Sequence, residues 1–112
     1  MQAIARDDPK LTAQALREHL ARAGRDHPHN PQAGAVSIAQ ATECGLVYSP
    51  DEITALAECA RANAMALHMD GARFANALVA QGCSPAQLSW RAGVDILTLG
   101  ASKNGCWAAE AI

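Results

Sequence analysis

Only four of the 112 residues are aromatic, which argues against an aromatic-rich β-sandwich. Charge is scarce as well: 18% of residues are charged and the net charge is -2, so the chain is neither a cationic nucleic-acid binder nor an acidic disordered tail. No apolar run approaches the roughly 20 residues that span a bilayer, which excludes an integral membrane reading. The first dozen residues mix Arg6, Asp7, Asp8 and Lys10 with apolar positions, so no secretory signal is visible and a cytoplasmic location is expected. Four cysteines, Cys44, Cys59, Cys83 and Cys106, form no CxxC or CxxH unit. In a reducing compartment they read as free, mostly buried thiols rather than as two disulfides. His27 and His29 lack a cysteine or carboxylate cluster nearby to complete a tetrahedral set, so no metal site is expected. Lysine is rarer still: of nine basic residues only Lys10 and Lys103 are lysines.

What the chain has in quantity is alanine, 26 residues of it, within a composition that is half apolar. That favours helices packed closely on a thin sheet, in about one domain. Leu16, Leu20 and Ala23 recur at helical spacing between a Thr12 cap and a Gly24 stop, and the Pro-containing stretch 25–34 is a loop. Ala35 to Gln40 reads as a buried strand, followed by a Gly45 turn and Leu46, Val47 and Tyr48. Ser49-Pro50-Asp51-Glu52 is a capping box with proline at the first helical position, opening a helix to about Asn63. Met65 to Met69 is a second strand, and 72–81 is a helix closed by Gly82. Ser84-Pro85-Ala86-Gln87 repeats the capping logic and predicts another helix to about Gly93, into which Trp90 would pack, before a third strand, Val94 to Leu99. Strands alternating with helices imply right-handed βαβ units on a mostly parallel sheet, an α/β fold.

In such sheets ligands sit beyond the carboxyl ends of the strands. Two loops lie there, Asp70 to Arg73 and Gly100 to Gly105. An aspartate at one strand end and a lysine at another are what a pyridoxal phosphate site needs: the amine forms a Schiff base with the cofactor aldehyde, and the carboxylate keeps the ring nitrogen protonated. The same residues also admit structural roles. Asp70 can cap the following helix, Arg73 can be a solvated helix residue, and Lys103 an ordinary loop lysine. His68 points opposite to Leu67 and Met69, as a satisfied interior histidine or as a site wall, and Cys106 reads as a small apolar filler beside the lysine loop.

The words of the sequence resolve part of this choice. Leu67-His68-Met69-Asp70-Gly71-Ala72-Arg73-Phe74-Ala75-Asn76-Ala77 resembles the LHxDGARxxNA signature of the low-specificity L-threonine aldolases, within the β-eliminating lyase group of fold type I pyridoxal phosphate enzymes. Residues 92–105 (AGVDILTLGASKNG) resemble that family's AGVDxLxxGxxKNG segment, and residues 34–48 its strand and turn before the central helix. The resemblance runs from about Pro31 to Ile112. It implies that Lys103 forms the internal aldimine, that Asp70 pairs with the pyridine nitrogen and that Arg73 touches the phenolic oxygen. Ser102 stands where many relatives have threonine, and Thr42 and His68 are further candidates for the wall of the site. The implied reaction is retro-aldol cleavage of a β-hydroxy-α-amino acid, such as L-threonine or L-allo-threonine, to glycine and an aldehyde.

A pyridoxal enzyme also needs a phosphate cup, a ring-stacking group and a cation for the substrate carboxylate, and no Gly/Ser/Thr-rich helix entrance is evident here. The resemblance therefore implies the middle of a large domain, with the C-terminal small domain absent and the intact protein a homodimer or homotetramer. The expectation for 112 residues alone is weak or no cofactor binding and no aldolase turnover. Two other readings stay open at this level: a non-catalytic scaffold or interaction module, and another β-eliminating lyase that uses the same lysine and aspartate.

Overall fold

The computed structural model describes Ile4 and residues 9–23 and 32–112. Helix α1 (Ala13–Arg22) starts where the Thr12 hydroxyl accepts the Ala15 amide, one of the amides a helix N-terminus leaves unpaired. Helix α2 (Pro50–Ala62) starts at a complete capping box, with the Ser49 hydroxyl accepting from Glu52 N–H and the Glu52 carboxylate accepting from Ser49 N–H. Helix α3 (Phe74–Gln81) stops at Gly82, whose left-handed backbone is cheap only for glycine. Between the helices lie three parallel strands, β1 (Ala35–Ala39), β2 (Ala66–Asp70) and β3 (Ile96–Gly100), in that spatial order. A short β4 (Glu110–Ala111) adds antiparallel to β3. The architecture is the α/β, mostly parallel sheet that the alternation predicts.

Strand alternation divides the sheet chemically. Val36, Ile38, Leu67 and Met69 point to one face and are buried with Leu16 and Leu20 of α1, Ile53 and Leu56 of α2, and Phe74 and Ala77 of α3. The alternate positions Ser37, His68, Asp70, Ile96 and Thr98 share the opposite face, half-buried or exposed. Asp95 fixes where β3 joins: its amide donates to Leu67 O at 2.9 Å and its carboxylate accepts the Leu67 amide at 2.8 Å. The buried Gln40 amide brackets the Tyr48 backbone with two bonds of 2.9 Å, so residues 46–48 follow the end of β1 without forming a strand of their own.

Four expectations change. Residues 85–93 form turns that end in one 3-10 turn, Trp90–Ala92, and not an α-helix. The Ser84–Gln87 box does form, but the Ser89 hydroxyl bonds Pro85 O, Ser89 leaves helical angles and Gly93 takes a positive φ, so propagation ends. Trp90, expected to pack, is 64% exposed, with the Arg91 guanidinium over its ring at 5.1 Å. Of the four free cysteines only Cys59 is buried; Cys44 and Cys106 are exposed, so Cys106 fills no core. Finally, α3 begins at Phe74 rather than Ala72, because the Asp70 carboxylate takes the Ala72 amide and holds 70–72 in a turn. Gly24, His27 and His29 lie outside the described residues.

Glu52 ties the N-terminal segment to the core. Lys10 Nζ reaches Glu52 Oε2 at 2.7 Å and Val47 O at 3.1 Å, and lies 5.2 Å from the Tyr48 ring centroid. Burial pushes the Glu52 carboxyl up, but the Lys10 hydrogen bond, the Ser49 amide and the Lys10 charge together outweigh it and hold the group below its ordinary value. A lowered carboxyl stabilises the fold above its unfolded value and loses that contribution as pH falls through the folded one. Glu52→Gln should therefore cost about 0.5–1 kcal/mol at neutral pH, discounted for its half-exposed position. The difference from wild type should close in acid, as read from urea unfolding at pH 7 and below the carboxylate range.

Candidate active site

The site is assembled at the carboxyl ends of β2 and β3. Asp70 is the last residue of β2 and is opposed in the ladder by Thr98 of β3. Its Oδ1 accepts the Ala72 amide at 2.9 Å, which orients the carboxylate and leaves its other oxygen uncommitted. Just beyond, the Gly71 amide donates to Thr98 O at 2.7 Å, closing the two strand ends on each other. A methyl group at Gly71 would lie 2.8 Å from that same carbonyl oxygen, so the close approach requires glycine.

Lys103 is presented by a 3-10 turn, Ser102–Asn104, directly after β3. The turn is pinned at both ends. Asn104 Nδ2 donates to Gly100 O at 2.8 Å, the Asn104 amide to Ala101 O at 2.9 Å, and the Ala101 amide to Ala109 O at 2.9 Å, which joins the turn to the segment leading into β4. Lys103 itself is exposed and has no hydrogen-bond partner among the described residues. Asp70, Thr98, Ser102, Lys103 and, from β4, Glu110 line one cleft of about 440 Å³.

The structure thus brings Asp70, Ser102 and Lys103 together and leaves three other sequence candidates outside the cleft lining. Arg73 sits exposed on the α3 entrance, three residues beyond Asp70, with no partner among the described residues. His68 does not line the cleft, and both its ring nitrogens lie within hydrogen-bond distance of hydroxyls. Thr42 is engaged elsewhere: its hydroxyl accepts the Leu46 amide at 3.0 Å and it lines a different cavity, about 460 Å³, between β1 and α1. That cavity is the larger and more apolar of the two, yet neither Asp70 nor Lys103 lines it. Thr98 and Glu110 carry no signal of their own in the sequence. Parity along β3 puts Thr98 on the polar face, but its pairing with Asp70 depends on a register that Asp95 sets, and Glu110 arrives through an antiparallel return with no sequence signature.

The cleft offers the Asp70 and Glu110 carboxylates, the Lys103 amine and the Thr98 and Ser102 hydroxyls, with Asp70 ending one strand and Lys103 following its neighbour. That donor set fits a pyridine nitrogen and an aldehyde carried on one ring. Among the described residues no group of three His, Cys, Asp or Glu side chains could hold a metal ion. No helix among them is long and apolar enough to cross a membrane.

The chain is 48% identical to a low specificity L-threonine aldolase of Pseudomonas aeruginosa and 47% identical to one from another Pseudomonas, each over 92% of its length. It spans 29% of the length of both relatives. A solved threonine aldolase of Leishmania major superposes with a TM-score of 0.76 at 26% identity, over 90% of this chain and 29% of that one. A family model, beta-eliminating lyase, matches residues 1–112. The chain belongs to the beta-eliminating lyase family.

Proposed function

We propose that the chain is the cofactor-anchoring part of a pyridoxal phosphate-dependent aldolase that cleaves L-threonine, L-allo-threonine and similar β-hydroxy-α-amino acids to glycine and an aldehyde. The observation that carries this is the convergence of Asp70 and Lys103 on one cleft at adjacent strand ends. Pyridoxal phosphate, when bound, supplies an electron sink for the charge left at the substrate α-carbon. Lys103 would hold it through Nζ; its side chain is exposed and has no hydrogen-bond partner among the described residues. Asp70 holds the proton on the ring nitrogen, which keeps the sink positively charged. Arg73 is assigned to the phenolic oxygen and Ser102 to the cleft wall beside Lys103.

The phosphate cup and the cation for the substrate carboxylate belong, on this reading, to the rest of a longer protein that acts as a homodimer or homotetramer. Residues 1–112 alone should then bind the cofactor weakly and form no glycine from L-threonine above background. The positive test is a chimera, with the matching segment of the Pseudomonas aeruginosa enzyme replaced by this chain. Cleavage of L-threonine to glycine and acetaldehyde is expected. A chimera that folds and binds the cofactor yet leaves threonine intact would refute the assignment.

A further inference from the structure

His68 stands on the open face of the sheet with a hydroxyl on each side. Its Nδ1 lies 2.8 Å from Ser37 Oγ on β1, and its Nε2 lies 3.2 Å from Thr98 Oγ1 on β3. A neutral imidazole has one N–H and one bare nitrogen, so it donates in one of these contacts and accepts in the other. Hydroxyl-donated bonds are the shorter kind, and the 2.8 Å contact suits a proton donated by Ser37 to Nδ1. The 3.2 Å contact then falls at the long end of an N–H donation from the ring to Thr98. Thr98 accepts through its oxygen and keeps its own proton to give away.

The Thr98 hydroxyl makes no hydrogen bond to Asp70 as the cleft stands, but that carboxylate is the charged acceptor opposite it in the ladder. Thr98 is the cross-strand partner of Asp70, on the same face and lining the same cleft. One carboxylate oxygen already takes the Ala72 amide. The other prefers a hydroxyl proton to a hydroxyl lone pair, since donation to a charged acceptor is the stronger kind of hydrogen bond. We propose that His68 and Thr98 are positioning residues: the imidazole aims the Thr98 hydroxyl at Asp70, and the row Ser37–His68–Thr98 thereby fixes the carboxylate for the ring nitrogen of the bound cofactor. This rests on the pyridoxal phosphate reading above.

Two measurements test it. Nitrogen-15 NMR of the cofactor-free chain reads the His68 tautomer directly; the Nε2–H form is expected, and the Nδ1–H form overturns the proposal. Borohydride trapping at graded concentrations of pyridoxal phosphate, or of its 1-deaza analogue lacking the ring nitrogen, reads the effect at the cleft as labelling of Lys103. Thr98→Val should raise the concentration for half-labelling about tenfold with pyridoxal phosphate, and Thr98→Ser should restore it. With the deaza analogue all three proteins should behave alike. Equal weakening for both cofactors, or none for either, overturns the proposal. Wild-type chain that is never labelled at Lys103 instead overturns the proposed function, while the tautomer still decides the order of protons in the row.

Discussion

Lys103→Ala should reduce covalent retention of pyridoxal phosphate on lysine to background, read by peptide mass spectrometry after borohydride reduction with the α-amine of Met1 scored separately. The reason lies in the lysine inventory. The only other lysine is Lys10, near the opposite edge of the sheet, where its Nζ is held by Glu52 at 2.6 Å and by Val47 O. An ammonium fixed in an ion pair is a poor nucleophile toward an aldehyde, and nothing in the fold brings it near Asp70. Lys10→Ala should accordingly leave labelling unchanged while loosening the N-terminal segment. Lys103→Ala should leave the fold intact, within about 0.5 kcal/mol, because the side chain is exposed and hydrogen-bonds to nothing among the described residues. Equal labelling of wild type and Lys103→Ala would sink the assignment of the cofactor lysine.

Gly71→Ala should be the most damaging conservative change near the cleft, costing about 2–4 kcal/mol in urea unfolding. The added methyl would meet the Thr98 carbonyl oxygen at 2.8 Å, Leu97 Cδ1 at 2.9 Å and Leu99 Cδ2 at 2.9 Å. The two leucines have some freedom to turn, but the carbonyl has none, because it accepts the Gly71 amide at 2.7 Å. Relieving the clash means parting β2 from β3 at the point where Asp70 faces Thr98. Stability and cofactor capture should therefore fall together in this variant, unlike Lys103→Ala, where capture alone is lost. Gly34→Ala is the control: a methyl there would have nothing within 4 Å, its φ is not in the left-handed region, and the change should be neutral within about 0.5 kcal/mol. A Gly71→Ala protein as stable as Gly34→Ala would show that the strand ends are not closed as described.

The elements most legible in the sequence are those with strong local punctuation. The Ser49 capping box, the Thr12 cap and the Gly82 stop act through bonds within a few residues, and each appears in the structure as the spacing predicts. The same reasoning fails at Ser84–Gln87, where the cap forms but nothing beyond it sustains a helix, since a cap starts a helix without supplying the packing that extends it. Asp70 and Lys103 can be placed on one sheet edge because strand ends and their loops can be read along the chain, whereas the roles proposed for them rest on the resemblance to the aldolase motifs. Thr98 and Glu110 cannot be placed so, because they enter through pairing between strands far apart in sequence or through a return at the sheet edge. Thr42 also follows a strand end, and there its hydroxyl accepts the Leu46 amide beside the other cavity.

The pinning of the Ser102–Asn104 turn bears on how the lysine moves. With Asn104 tied to Gly100, and Ala101 tied to Ala109, the backbone beneath Lys103 acts as a fixed pivot, and the four methylenes of the side chain are the only moving arm. Were Lys103 to anchor the cofactor as proposed, its amine would return to the same arc each time, because its fulcrum does not travel. Loosening the pivot, as Asn104→Ala would, leaves the nucleophile in place chemically while spreading the region it sweeps.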